Sequence, residues 1–315
     1  MAAIEVRSFT SGEPLTIVQT PRPVPEADEV LITVTATGVN YADLAQVKDA
    51  YLVPMQLPYI PGLEVVGRTP EGDRVAAITN GGGYAEYVAV HRDYVYPIPD
   101  AISDEQAIAL LVQGATAWHV LRTVGRMRTG DRVLVHAAAG GVGTLAVQLA
   151  RRWGAGRVVG VASSESKREL ARSLGAHATV DSADAGSRDA LLEANEGRPY
   201  DLILDMVGGP TFDAGMSVLA RFGRMVSYGL ASGVLPAPVE PRTLMARSQI
   251  IGGLWLVDWL RRPAELTESI EDLFAATAAR ELVPVVGEVY PLREVQQAHE
   301  DLGSRNAVGK SVLRI

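Results

Sequence analysis

The residues that most directly promise chemistry are a run of small side chains, Ala137-Ala138-Ala139-Gly140-Gly141-Val142-Gly143, between a β-type stretch at 132–136 and a helical pattern from Thr144. Aligned on Gly140 and Gly143, the run reads Ala138-x-Gly140-x-x-Gly143, a dinucleotide fingerprint with alanine at its first glycine. A side chain at Gly140 would keep a pyrophosphate off the backbone, and Gly143 lets helix and strand pack closely. The helix N-terminus adds orphan N–H donors and partial positive charge. A plain strand-to-helix turn would use the same glycines. What favours a cofactor loop is the strand before it, the helix after it and a sheet continuing around both.

Sites for NAD place an acid about 20 residues further on, against the ribose hydroxyls. Here that place holds Ala162, Ser163 and Ser164, followed by Lys167 and Arg168. An acid would repel a 2′-phosphate, whereas hydroxyls and a lysine welcome it. The expected cofactor is therefore NADPH rather than NADH. The same stretch also suits a capped, solvated helix start, with Ser166 and Glu169 as a capping box and Gly175 as the stop.

Other chemistries are narrowed by what the chain lacks. It has no cysteine, which removes disulfides, thiolate zinc sites and a cysteine nucleophile, and suits a cytoplasmic location. Its five histidines, His91, His119, His136, His177 and His299, show no ligand spacing. No tyrosine has a lysine four residues on, as the short-chain reductases require.

The loop needs a sheet to hold it. Strand-like runs at 132–136, 157–162, 178–181, 201–205, 224–228 and 249–252 alternate with helical patterns at 144–153, 166–174, near Ala190 and at 212–219. Such alternation predicts a doubly wound parallel sheet. Upstream, Val30, Ile32 and Val34 alternate with Thr33, Thr35 and Thr37, and short runs follow at 65–67, 74–78, 84–90 and 94–98, predicting a compact β barrel. After Trp259 come a helix at 264–280, a run at 283–289, another helix and a strand at 311–315. This return would complete the first domain, giving boundaries at 1–118, 119–256 and 257–315.

Bulk properties agree. At 315 residues, 47% apolar and 21% charged, the chain suits two soluble domains. A net charge of −8 provides no field for phosphate backbones or anionic membranes, so neither nucleic acid nor membrane is an expected partner. Residues 1–9 lack the basic start and apolar core of a signal peptide. The apolar stretch at 133–150 is interrupted by His136, Gln148 and three glycines, and reads as strand, turn and helix rather than a span.

Further motifs carry a family likeness. They are Gly38-Val39-Asn40-Tyr41-Ala42-Asp43, Pro58-Tyr59-Ile60-Pro61-Gly62-Leu63-Glu64-Val65-Val66-Gly67, Gly83-Tyr84-Ala85-Glu86-Tyr87-Val88, Gln113-Gly114-Ala115-Thr116-Ala117, the glycine loop, Leu204-Asp205-Met206-Val207-Gly208-Gly209 and Gly309-Lys310-Ser311-Val312-Leu313. In this order, over nearly the whole chain, they resemble the zinc-free, zeta-crystallin-like quinone oxidoreductases of the medium-chain dehydrogenase/reductase superfamily. The resemblance implies an α/β fold, with a GroES-like β-rich catalytic domain, a doubly wound Rossmann domain and a cleft between them for the nicotinamide. Asn40, Leu63 and Gln113 stand where zinc-bearing relatives carry cysteine, histidine and cysteine, and the four-cysteine zinc lobe is missing. Glu64 is then a structural neighbour of the lost site. Alcohol oxidation without a Lewis acid is difficult, while an acceptor already activated by conjugation needs only positioning, hydrogen-bond donors and one proton. The implied substrate is a quinone or a small apolar conjugated carbonyl.

Residue roles follow from the same resemblance. Asn40 lies beside the nicotinamide ribose and could steady a developing enolate, or is a turn-forming asparagine. Tyr51 is a phenol at the substrate cleft, either donating a proton or packing the mouth. Thr116 contacts the nicotinamide region; Ala139, Gly140, Gly141 and Val142 form the pyrophosphate turn. Val207, Tyr228, Gly229 and Leu254 line the cofactor channel, and Trp255 faces substrate or is a core or interface aromatic. Lys167 and Arg305, with Ser163 and Ser164, bracket the 2′-phosphate, while Ser182 replaces a tyrosine of several relatives. Lys48-Asp49-Ala50 replaces the family's Arg-x-Gly, and the hairpin after Gly67 is short; both bear on the substrate entrance. Residues 249–257 resemble the edge through which relatives form homodimers. An enoyl-thioester reductase of polyketide or lipid metabolism, and a non-catalytic NADPH-binding crystallin-like protein, share these motifs.

Overall fold

The computed structural model describes residues 1–9 and 14–315. The chain divides into two units, Met1–Val112 with Val257–Ile315, and Gln113–Leu256. The first crossing falls after Val112, where the sequence suggested residue 118. It lies inside one helical stretch, Asp104–Val124, so no loop or change of composition marks it. That stretch is long and apolar enough to cross a membrane, but it is mostly buried within the folded chain, as a core helix is.

In the first unit, strands run in the order Val286–Pro291, Lys310–Arg314, Glu29–Val39, Glu64–Arg68, Arg74–Ile78 and Val95–Pro97, with Tyr87–His91 also paired to Glu29–Val39. The long central strand keeps the expected alternation at first, with Ile32 and Val34 buried and Thr33 and Thr35 exposed. A register shift between Val34 and Ala36 then turns Thr37 inward, where its hydroxyl donates to Glu64 O at 2.6 Å. Strand Lys310–Arg314 pairs antiparallel with Ala36 to Val39, so the C-terminal return completes this sheet. Its core gathers Ile4, Val39, Leu44, Tyr84, Val295 and Leu313.

The second unit holds a six-stranded parallel sheet, ordered Ala178–Asp181, Arg157–Ala162, Arg132–Val135, Tyr200–Asp205, Leu219–Ser227 and Ile250–Gly253. The chain winds outward from Arg132–Val135 in both directions, which creates a switch point beside Tyr200–Asp205. Leu134, Val159, Tyr200, Ile203 and Met225 fill the core. Helix Gly141–Arg152 begins before Thr144, the expected start, because extended Gly140 serves as its N-cap. Helix Glu165–Ser173 is capped by Ser164 and not by Ser166. Ser164 Oγ accepts from Lys167 N at 3.3 Å, which ends the extended chain two residues sooner than the Ser166–Glu169 pattern suggested.

Candidate cofactor and active site

The glycine loop is built from close backbone contacts. Strand Arg132–Val135 passes into His136, whose N–H donates to Leu204 O at 3.1 Å, and then into Ala137 at φ 52°. Ala138 N donates to Val161 O and Gly140 N to Ala137 O, each at 2.9 Å. A Cβ on Gly143 would overlap Ala137 O and lie 2.7 Å from Ala138 Cα, so this glycine is required for the packing of helix on strand. Gly140 differs: a Cβ there meets only Ala137 O, at 3.3 Å. Packing within the protein therefore hardly restricts it, and its bare backbone keeps a helix N-terminus approachable. Open backbone, unpaired first-turn N–H groups and dipole together fit a dinucleotide phosphate. Gln113 lies against the same loop, since a Cβ on Gly141 would overlap its amide. Ala139 and Thr116 are buried in this unit, Thr116 on helix Ala115–His119.

At the end of strand Arg157–Ala162, Ser182 N donates to Ala162 O at 3.1 Å, which places Ser182 beside Ser163 and Ser164. Ser163 is exposed and Lys167 half-buried; burial pushes the lysine's pKa down from its ordinary value. The acids nearby are neutralised. Glu165 pairs with Arg168 at 2.9 Å and with Arg172, and Asp181 pairs with Arg168.

A third cluster forms where the next strands end. Tyr228 N donates to Asp205 O and Leu254 N to Ser227 O, both at 3.0 Å, while Ser232 N donates to Val207 O at 3.0 Å. The Asp205 carboxylate accepts from Val207 N and Gly208 N at 3.2 and 3.0 Å, and burial raises its pKa. Val207, Tyr228, Gly229 and Leu254 thus share the carboxyl edge of the sheet. The buried Tyr228 hydroxyl, both His136 ring nitrogens and Gln113 Oε1 have no hydrogen-bond partner among the described residues.

Asn40, Tyr51 and Arg305 belong to the other unit. Asn40 precedes helix Tyr41–Gln46 as its N-cap, and its N–H donates to Asp43 Oδ2 at 2.8 Å. Its amide is held between charges, with Nδ2 donating to Glu64 Oε1 at 2.9 Å and Oδ1 accepting from Lys310 Nζ at 2.8 Å. Lys310 and Glu64 form an ion pair with no exposed side-chain surface. Glu64 Oε2 accepts from Val112 N at 2.7 Å, within the π turn Leu110–Gly114. Asp43 accepts from the Tyr84 hydroxyl at 3.2 Å, and that oxygen lies 3.1 Å from His299 Nε2. Burial lifts the Asp43 carboxyl to about 7, against the opposing pull of the Asn40 N–H and Lys310. Tyr51 lies near Tyr59, whose hydroxyl donates to Gln46 Oε1 at 2.8 Å. Arg305, at φ 63° beyond helix Val295–Gly303, lies near enough to Tyr41 to act on its phenol.

In the sequence Glu64 reads as a neighbour of a lost metal site, Gln113 as a replaced metal ligand and Lys310 as part of a motif, and nothing there marks Asp43 or His136 for the site. For Glu64 and Lys310 the one available signal is a charged residue opening a short strand that is otherwise largely apolar. Among the described residues, no group of three His, Cys, Asp or Glu side chains comes together to hold a metal ion.

A β-rich unit and a doubly wound unit with a dinucleotide loop define a class, the medium-chain dehydrogenases/reductases. The profile described as an alcohol dehydrogenase GroES-like domain matches residues 26–100, and the one described as a zinc-binding dehydrogenase matches residues 141–275. Quinone oxidoreductase from Sus scrofa is 32% identical, over 99% of this chain and 97% of its own. The quinone oxidoreductase of Thermus thermophilus, solved alone and with NADPH, is 38% identical over the whole of both chains, with a TM-score of 0.89. A phenolphthiocerol/phthiocerol polyketide synthase polypeptide from Mycobacterium tuberculosis is 30% identical over all of this chain, which spans 15% of it. Within the class, the chain belongs to the quinone oxidoreductase family.

Proposed function

We propose that this protein is an NADPH-dependent reductase that passes hydride to a quinone or a small apolar conjugated carbonyl. The observation that carries this reading is the open Gly140 backbone at the start of helix Gly141–Arg152, in a chain whose solved relative was crystallised with NADPH. NADPH, when bound, supplies the hydride. The chain does the rest. Gly141 and Val142 receive the pyrophosphate on backbone N–H groups, in the turn that Ala139 and Gly140 form with them. Ser163, Lys167, Ser182 and Arg305 meet the 2′-phosphate, while Ser164 caps the helix that carries Lys167. Thr116, Val207, Tyr228, Gly229 and Leu254 line the nicotinamide and its ribose. Asn40 offers an N–H to a ribose hydroxyl or to the negative charge developing on the acceptor, and the Tyr51 phenol donates a proton.

The test is NADPH consumption with a simple quinone and, separately, with an enoyl thioester. Quinone turnover is the expected result. Turnover with the thioester alone would favour the second reading, an enoyl-thioester reductase, which the likeness to the polyketide synthase supports. Turnover with neither would leave a non-catalytic NADPH-binding protein. Tyr51→Phe should lower turnover by about 10²-fold with NADPH binding unchanged. NADPH should bind at least about tenfold tighter than NADH, as one charge-assisted phosphate contact allows, and Lys167→Ala should erase that margin.

A homodimer is the expected assembly. Strand Ile250–Gly253 is an edge of its sheet, and Ile250, Met245 and Phe222 are exposed apolar side chains in the segments next to it. The lack of cysteine suits a cytoplasmic enzyme.

A further inference from the structure

The charges around Asn40 settle which way its amide points. A lysine ammonium only donates hydrogen bonds and a carboxylate only accepts them. Lys310 Nζ sits at Oδ1, 2.8 Å away, and Glu64 Oε1 at Nδ2, 2.9 Å away. The flipped amide would set oxygen against carboxylate and NH2 against ammonium, losing two charge-assisted bonds and adding two repulsions. Nδ2 carries two hydrogens, and only one has an acceptor among the described residues, leaving one N–H with a fixed direction.

The pair that imposes this orientation is itself buried and anchored on the backbone. Lys310 and Glu64 have no exposed surface, Lys310 Nζ also donates to Val39 O at 3.3 Å, and Glu64 Oε2 is anchored on Val112 N. A Cβ on Gly38 would overlap both Glu64 Oε1 and Lys310 Cε, so the sequence keeps a glycine where the pair must fit. The capping box of helix Tyr41–Gln46 pairs Asn40 with Asp43 alone, the Asn40 N–H donating to Asp43 Oδ2, and calls for neither Glu64 nor Lys310.

We propose that Glu64 and Lys310 are positioning residues that lock the Asn40 amide with Nδ2 as the donor facing the reacting ligand. This rests on the reading that Asn40 meets cofactor or substrate. Glu64 and Lys310 touch neither; they act through Asn40.

A mutational cycle tests it in the full-length protein. Glu64→Met and Lys310→Met together remove both charges without leaving either buried alone. With the quinone assay, the double variant should lose on the order of tenfold or more in kcat, as misplacing an aligned group does. Asn40→Ala should cost a similar factor in the wild type and almost nothing further in the double variant. If Asn40→Ala costs as much in the double variant as in the wild type, the pair does not act through Asn40 and the proposal is overturned. If Asn40→Ala has no effect even in the wild type, the underlying reading of Asn40 fails instead, and the two failures look different. A measurement on the unmodified protein guards against a double variant that does not fold. The chain has four asparagines, so selective 15N-asparagine labelling gives four side-chain amide pairs. The Asn40 pair should exchange with solvent far more slowly than that of exposed Asn306. Equal exchange rates would mean the amide is not locked.

Discussion

In the β-rich unit the buried Glu64, Lys310, Asn40 and Asp43 satisfy one another, whereas in the doubly wound unit the His136 ring, the Tyr228 hydroxyl and Gln113 Oε1 are buried without a partner among the described residues. Each orphaned polar group costs about 1–3 kcal/mol if nothing else meets it. The difference separates two kinds of site. In the first network both charges are paired, one Asn40 N–H is left over among the described residues, and the work of the pair is to hold that amide still. The second set lies along the carboxyl edge of a parallel sheet, where doubly wound folds receive their ligands, and keeps hydrogen-bonding capacity in reserve.

The sharpest way to break this contrast is to open the first network. Lys310→Met alone leaves the Glu64 carboxylate buried beside Asn40 and should destabilise the protein by about 3–5 kcal/mol. Adding Glu64→Met should restore most of that loss, because a pair replaced as a pair leaves no stranded charge. Denaturant melts of the two variants check both statements; a mild single variant would mean the pair is not buried as described.

A smaller effect separates two glycines of the second unit. Gly143→Ala forces a methyl onto Ala137 O and the Ala138 backbone and should cost about 1–3 kcal/mol in stability. Gly140→Ala meets little protein, so its stability should change less while NADPH affinity falls, as a fluorescence titration would show. Unaltered NADPH affinity in Gly140→Ala would remove the phosphate from this loop.

The last effect is the response to pH, where buried carboxyl and imidazole groups pull in opposite directions. Burial lifts Asp43 to about 7, so the folded chain keeps a proton that the unfolded chain releases near pH 4. Its stabilising contribution is complete below about pH 4 and is lost as pH rises to about 7. Burial drives His136 down to about 4, so the unfolded chain takes up a proton near pH 6.5 that the folded chain refuses. Its contribution is complete above about pH 6.5 and is lost as pH falls toward 4. His299, also lowered to about 4 by burial and then by Lys48, adds to the acid-side loss from within the first unit. His136→Phe should therefore flatten the decline in melting temperature between pH 6.5 and 4, and Asp43→Asn the decline between pH 4 and 7. Curves that superimpose on the wild type would contradict the assigned burial.

Short-range features of the chain specify what is local: the glycine loop with strand before and helix after, the strands alternating with helices, and the existence of a last strand near the C-terminus. Each follows from side-chain size and periodicity within a few residues. The rest depends on long-range packing. Whether Ser164 or Ser166 caps its helix depended on where strand Arg157–Ala162 stops, and the crossing at Val112 lay within a helix that nothing local interrupts. The Glu64–Lys310 pair, 246 residues apart, arises only from sheet register. Ser311 faces Val39 on one side of the central strand, and Val65 faces Thr37 on the other. Lys310 and Glu64, each one residue before these partners, therefore close on Asn40. No local pattern encodes that meeting, because it is set by two strand pairings and by the absence of a side chain at Gly38.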